Sequence, residues 1–186
     1  MSLPQDLNRC PWCGSDPLYM AYHDQEWGVA EYDPRALWEK LILDGFQAGL
    51  SWITILRKRE AFRAEFEGFD PARIAQWEEA RIERALQNPG IVRHRGKIAG
   101  AVKNARAYLD IPDFAAFCWR HVGGKPLVNR PATHGDIPTE SEISRALSRD
   151  LKKAGFTFVG PTIVYAWMQA CGLIDDHLVT CHKSRR

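Results

Sequence analysis

Helix-start signals of one kind punctuate the chain. Asp33-Pro34, Asp70-Pro71 and Gly160-Pro161 each set a capping residue before a proline, a pair that opens helices and cannot continue them. Behind the first, Leu37, Trp38, Leu41 and Ile42 fall at helical spacing, which predicts a helix from about Pro34 to Phe46. Gly49 interrupts it, and Ser51 caps a second helix striped by Ile55, Leu56, Phe62 and Phe66. The second signal opens a helical region towards Leu86, where Asn88-Pro89-Gly90 must break it. A helix from about Gly96 to Leu109 follows, and Asp113 caps a short aromatic one. Gly123 to Pro138 reads as loop. Thr139 with Glu142 makes a capping box for a helix that Gly155 ends, and the last helix runs from Gly160-Pro161 to near Gly172. Alternating strand patterns are nearly absent, so the fold class expected is all-α, built from many short helices.

The length of 186 residues suits one domain with its own core. Residues 10–182 are read as that domain, with 1–9 and 183–186 as flexible ends. No run reaches the roughly 18 to 20 apolar residues of a membrane span, and the start has no apolar signal core, so a soluble, cytoplasmic protein is expected. Five cysteines at uneven spacing fit reduced thiols or metal ligands better than a disulfide framework.

The net charge of +2 argues against a chain coated with cations, but it hides two opposed segments. Arg84 to Leu109 holds six cations and no acid. Cys10 to Trp52 holds seven acids against two cations, together with eight of the 20 aromatic residues. The basic segment contains Gly90-Ile-Val-Arg-His-Arg-Gly-Lys-Ile98, a helix end, a glycine-bearing turn and a new helix start, with Arg93, Arg95, Gly96 and Lys97 at the join. Outward backbone N–H groups beside Arg and Lys suit a phosphate, and the pattern is that of a helix-hairpin-helix element over about residues 82–109. The plain alternative is a solvated basic face.

Cys10, Cys13 and His23 lie near one end of the chain and His177, Cys181 and His182 near the other. His177 and Cys181 stand four apart, on one face of a helical turn, and Cys with His is the donor set zinc prefers. Four such ligands would join the termini in a closed, structural site. Spacing leaves open whether Cys13 or His23 completes it. The acidic, ring-rich segment suits a flat cation, held by stacking and charge pairing. Tyr19, Tyr22 and Trp52 are its better candidates, because Trp38 and Phe46 sit at core-like positions.

Taken together, Asp16-Pro-Leu-Tyr-Met-Ala-Tyr-His-Asp-Gln-Glu-Trp-Gly28, Phe46-Gln-Ala-Gly-Leu-Ser-Trp-Ile53, the Gly90 to Ile98 run, Phe156-Thr-Phe-Val-Gly-Pro-Thr162 and Met168-Gln-Ala-Cys-Gly-Leu173 closely resemble the 3-methyladenine DNA glycosylase I family. The resemblance spans about Cys10 to Cys181. It implies a helix-hairpin-helix DNA glycosylase fold that flips an alkylated adenine out of double-stranded DNA and hydrolyses its N-glycosidic bond, releasing 3-methyladenine. It implies a structural zinc (Zn2+) on Cys10, His23, His177 and Cys181, and a base pocket at Tyr22 and Trp52 with Trp12 and Tyr19 nearby. The family usually has a glutamate where this chain has Asp44, one methylene shorter, which we read with Tyr22 and Trp52 as catalytic. Gln47, Gly49 and Leu50 would prop the gap in the base stack, while Arg93, Arg95, Gly96 and Lys97 hold the backbone. With no lysine matched to the pocket, a monofunctional enzyme without a lyase step is expected, acting as a monomer. Asp44 also motivates an alternative, a non-catalytic or altered-specificity binder of alkylated DNA. A zinc-stabilised binder of small cations is the other rival.

Overall fold

Asp16, Asp33, Asp70 and Asp113 each accept a hydrogen bond from a backbone N–H two or three residues on, and each opens a helix. Such a cap contributes about 1 kcal/mol. In the computed structural model, which describes residues 7–185, these are α1 (Pro17–Gln25), α2 (Pro34–Gln47), α4 (Pro71–Ile74) and α7 (Phe114–Trp119). The others are α3 (Trp52–Glu65), α5 (Glu79–Leu86), α6 (Arg95–Leu109), α8 (Glu142–Lys153) and α9 (Pro161–Ala170). No described helix is long and apolar enough to cross a membrane.

α2 is the central element. Leu37, Trp38, Leu41, Ile42, Leu43 and Phe46 are all buried along it, so it has almost no solvent face. It packs against α3, α6, α7 and α9, with α8 outside α9 and both α4 and α5 against α6. Phe66 sits among Phe46, Phe69 and Trp77 at ring separations of 5.6, 5.7 and 5.0 Å. Three more tryptophans fill volume and also staple segments: Trp38, Trp119 and Trp167 donate their indole N–H groups to the carbonyls of Phe69, Glu31 and Leu37. Two glycines let segments meet closely. At Gly172 (φ +66°) a Cβ would lie 2.3 Å from the Val29 carbonyl carbon, and at Gly28 (φ +73°) it would lie 2.6 Å from the His177 ring.

Several sequence expectations are corrected. The cap of α8 is Ser141 with Ser144, which exchange side-chain and backbone hydrogen bonds, not Thr139 with Glu142. The region after Asp70 is two helices, because Glu78 adopts an extended backbone (φ −98°, ψ 174°) and α5 starts anew at Glu79. α1 has no counterpart among the expected helices. Nor is the chain wholly helical: β1 (Leu127–Val128) pairs in parallel with β2 (Ile174–Asp175). These two-residue strands are too short for alternation to mark. Near the ends, Asn8 donates to the Thr180 carbonyl, Arg9 pairs with Asp24 at 2.7 Å, and Lys183 donates to the Asp24 carbonyl. The rest of the proposed flexible start, residues 1–6, and residue 186 lie outside the described residues.

Candidate functional site

α1, α2, α3 and α9 converge on a cavity of about 310 Å³. The Asp16 cap sets the start of α1, and the spacing of Tyr19 and Tyr22 then puts both rings on the cavity side, with Trp52 arriving as the first residue of α3. Trp12 comes from the 3-10 turn Pro11–Cys13 and stands edge-on to Tyr19, 5.0 Å between centroids, while Tyr22 and Trp52 lie 5.5 Å apart. Asp44 lies on the wall, 3% exposed, and its Oδ2 has no hydrogen-bond partner. Burial raises the pKa of this carboxyl well above the usual carboxylate range, opposed weakly by the charge of Lys40. The indole N–H groups of Trp12 and Trp52 are likewise buried without a partner. Aromatic walls, one buried carboxyl and two unspent donors together offer stacking and hydrogen bonding to a flat heterocycle. All five residues expected at a base pocket are thus brought together.

Sequence reasoning missed more than half of the wall. Trp27 completes the ring cluster, 5.0 Å from Trp12 and 4.6 Å from His177, and so joins the cavity to the Cys/His cluster. The loop region supplies His134, Ile137 and Pro138, and α9 supplies Tyr165 and Gln169. A helical reading of α9 could have marked Tyr165 and Gln169 as one face. Nothing local marks the loop.

Below the cavity rim, Gln47 donates its amide to the Leu50 carbonyl at 2.7 Å, Gly49 takes φ +84°, and Leu50 projects 40% exposed. The turn between α5 and α6 carries Arg93 and Arg95 on the surface, and His94 caps α6 by accepting from the Lys97 N–H. Two expected phosphate contacts are altered. Lys97 is buried, and its Nζ donates to the carbonyls of Phe46 and Ala48 at 2.9 and 2.6 Å, so it closes the end of α2 and faces no phosphate. Burial lowers the pKa of this amine. Arg95 is paired with Glu79 and Glu83 of α5. The acid-free stretch starts one residue after Glu83, and the fold brings that acid back.

On the far side of Trp12, the ligand atoms of Cys10, His23 and Cys181 lie within 4.8 Å of one another, all buried. Cys181 Sγ is 3.4 Å from His23 Nε2. His177 is outside that mutual group, yet its ring is 5.1 Å from that of His23 and its Nε2 is buried without a partner. Both histidines have Nδ1 engaged by a carboxylate, Asp24 at 2.8 Å and Asp175 at 2.6 Å, which turns Nε2 towards the thiol cluster as the available ligand atom. The paired thiols titrate together: the Cys10 thiol and the His23 contact lower the pKa of Cys181, and Cys10 is pushed up. Two thiols and two oriented imidazoles are a donor set that fits zinc. Cys13 Sγ instead faces the Cys10 carbonyl at 3.2 Å.

Residues 12–184 match the model of the methyladenine glycosylase family. DNA-3-methyladenine glycosylase 1 of Escherichia coli strain K12 is 52% identical over 179 residues, covering 94% of this chain and 96% of that protein. A crystal structure of 3-methyladenine DNA glycosylase I superposes with a TM-score of 0.93 at 54% identity, covering 94% of this chain and 98% of the other. A variant of such an enzyme solved in complex with 3-methyladenine gives the same score at 38% identity, covering 97% and 99%.

Proposed function

The chain belongs to the methyladenine glycosylase family, and from that premise we propose that it excises 3-methyladenine from alkylated double-stranded DNA in base excision repair. The observation that carries this reading is the buried Asp44 with its unpartnered oxygen, set among Trp12, Tyr19, Tyr22 and Trp52 in a cavity of about 310 Å³. A neutral base gains stacking and hydrogen bonds there, without charge pairing. An N3-alkylated adenine carries positive charge, which strengthens stacking on the rings and pairing with the carboxyl.

The same charge weakens the bond to the sugar, so the base leaves readily and the protein has less to supply. Extrusion costs a few kcal/mol of unstacking. Leu50, held out on the closed Gln47 turn, fills the gap, and Arg93, Arg95 and the α6 N-terminus near Gly96 hold the flanking backbone. Arg95 exchanges its exposed acidic partners for phosphate, a change that costs little at the surface. Asp44 accepts a hydrogen bond from the extruded base, which lies against Tyr22 and Trp52. Water then takes the sugar carbon through an oxocarbenium-like state. With no amine nucleophile assigned to the wall, the reaction ends at hydrolysis, without a lyase step.

Cys10, His23, His177 and Cys181 would hold zinc, which would supply no chemistry to the reaction and would clamp the two ends of the chain behind the Trp12 and Trp27 wall. The turn between α5 and α6 serves as the helix-hairpin-helix element. One chain supplies every part named, so a monomer suffices, and the reading places it in a compartment that holds DNA. The test is to incubate the protein with methylated DNA and chromatograph the released bases. Free 3-methyladenine is expected. Its absence at high enzyme concentration rejects the assignment.

A further inference from the structure

One face of α9 brings Tyr165 and Gln169 to the cavity wall, and the two share a partner. Tyr165 Oη and Gln169 Nε2 both donate to Asp176 Oδ2 at 2.7 Å, and Asn129 Nδ2 donates to Asp176 Oδ1 at 2.7 Å. Asp176 is 1% exposed, so these are its surroundings and water adds little. A carboxylate only accepts. Gln169 must therefore turn its NH2 towards Asp176, which leaves its carbonyl oxygen, unpartnered among the described residues, for the cavity. Tyr165 spends its only proton the same way, and burial together with Asp176 holds that proton on the phenol. An amide without this neighbour could turn over and present either a donor or an acceptor.

We propose that Asp176 is a positioning residue that locks the Gln169 amide as an acceptor, which makes Gln169 a determinant of selectivity for 6-amino over 6-oxo N3-alkylated purines. This rests on the base-excision reading above. A 6-amino group donates to the Gln169 oxygen. A 6-oxo group sets oxygen against oxygen and leaves both desolvated and unpaired, the kind of mismatch by which hydrogen-bonding sites reject near-isosteres strongly.

The experiment uses DNA methylated at N3 of both adenine and guanine and measures single-turnover release of each base by the parent, Asp176→Asn, Gln169→Met and the double variant. The amide of Asp176→Asn can donate to the Gln169 oxygen and turn it. Both single variants should lower the ratio of 3-methyladenine to 3-methylguanine release about tenfold or more, with the double variant no lower than either. A merely structural role would slow both bases alike and leave the ratio unmoved, which overturns the proposal. If Asp176→Asn does not fold, Gln169→Met decides by the same ratio. A parent that released neither base would overturn the excision reading and this proposal with it, whereas parent release with an unmoved ratio overturns this proposal alone.

Discussion

Lys97 Nζ donates to the Phe46 carbonyl at 2.9 Å, so the first turn of α6 closes the last turn of α2, the helix that carries Asp44. A cation that looks like a phosphate contact in sequence is thus committed to closing the helix that carries Asp44.

Lys97→Met should accordingly behave as a stability variant. Uncapping the Phe46 and Ala48 carbonyls should lower unfolding free energy by about 1–3 kcal/mol in urea titrations. The dependence of log Kd on log salt for DNA should keep its slope. Arg93→Ala should do the reverse, leaving the urea midpoint in place and reducing the salt slope by about 0.9.

Asp44→Asn should stabilise the protein and disable it. The raised folded-state pKa of Asp44 means that the folded state binds more protons than the unfolded state as pH rises above the ordinary carboxylate range. The parent therefore loses stability through that window, and the asparagine variant does not. The two should melt alike near pH 4 and diverge by pH 7, with Asp44→Asn the higher. Excision by that variant should fall about 100-fold, because a buried group placed to meet charge is lost. Asp44→Glu should raise excision by extending the carboxyl towards the base, and a lower rate would mean that the cavity is matched to aspartate.

Metal analysis should find about one zinc per chain. Cys181→Ser should remove it and lower Tm by several degrees at least, while Cys13→Ser, whose thiol faces a carbonyl, should retain it. Acidification should release the metal as the thiolates and imidazoles take up protons.

Gly172→Ala should cost far more than Gly14→Ala. Both glycines have positive φ, a strain of order 1 kcal/mol for alanine, but a Cβ at Gly172 meets the backbone of Val29 at 2.3 Å whereas one at Gly14 meets nothing within 4 Å. Thermal melts of the two variants should separate by several degrees or more, and refolded Gly172→Ala with a near-parental Tm would contradict the packing of Gly172 on Val29.

Local chemistry was readable wherever a short stretch carries both the signal and its consequence. Asp33-Pro34 and Asp113 start helices because the cap and the N–H it satisfies are three residues apart. Trp12, Tyr19, Tyr22 and Trp52 fall inside one ring-rich segment, and the motif resemblance pointed to Asp44 and the four Cys and His residues. Lys97 was misread, and the acidic partners of Arg95 were missed, for the opposite reason: their partners are decided by α2 meeting α6 and by α5 folding back on its neighbour.

By itself the sequence determined a mostly helical chain, the ring-rich segment and a split between basic and acidic regions, since periodicity, caps and charge are properties of neighbours along the backbone. Only the tertiary structure decided that Asp44 is buried and unpartnered, that Trp27 links the cavity to the Cys/His cluster, and that Asp176 orients Gln169. Burial and hydrogen-bond direction depend on which atoms exclude water from a group and which donors reach it, and those atoms come from helices far apart in the chain.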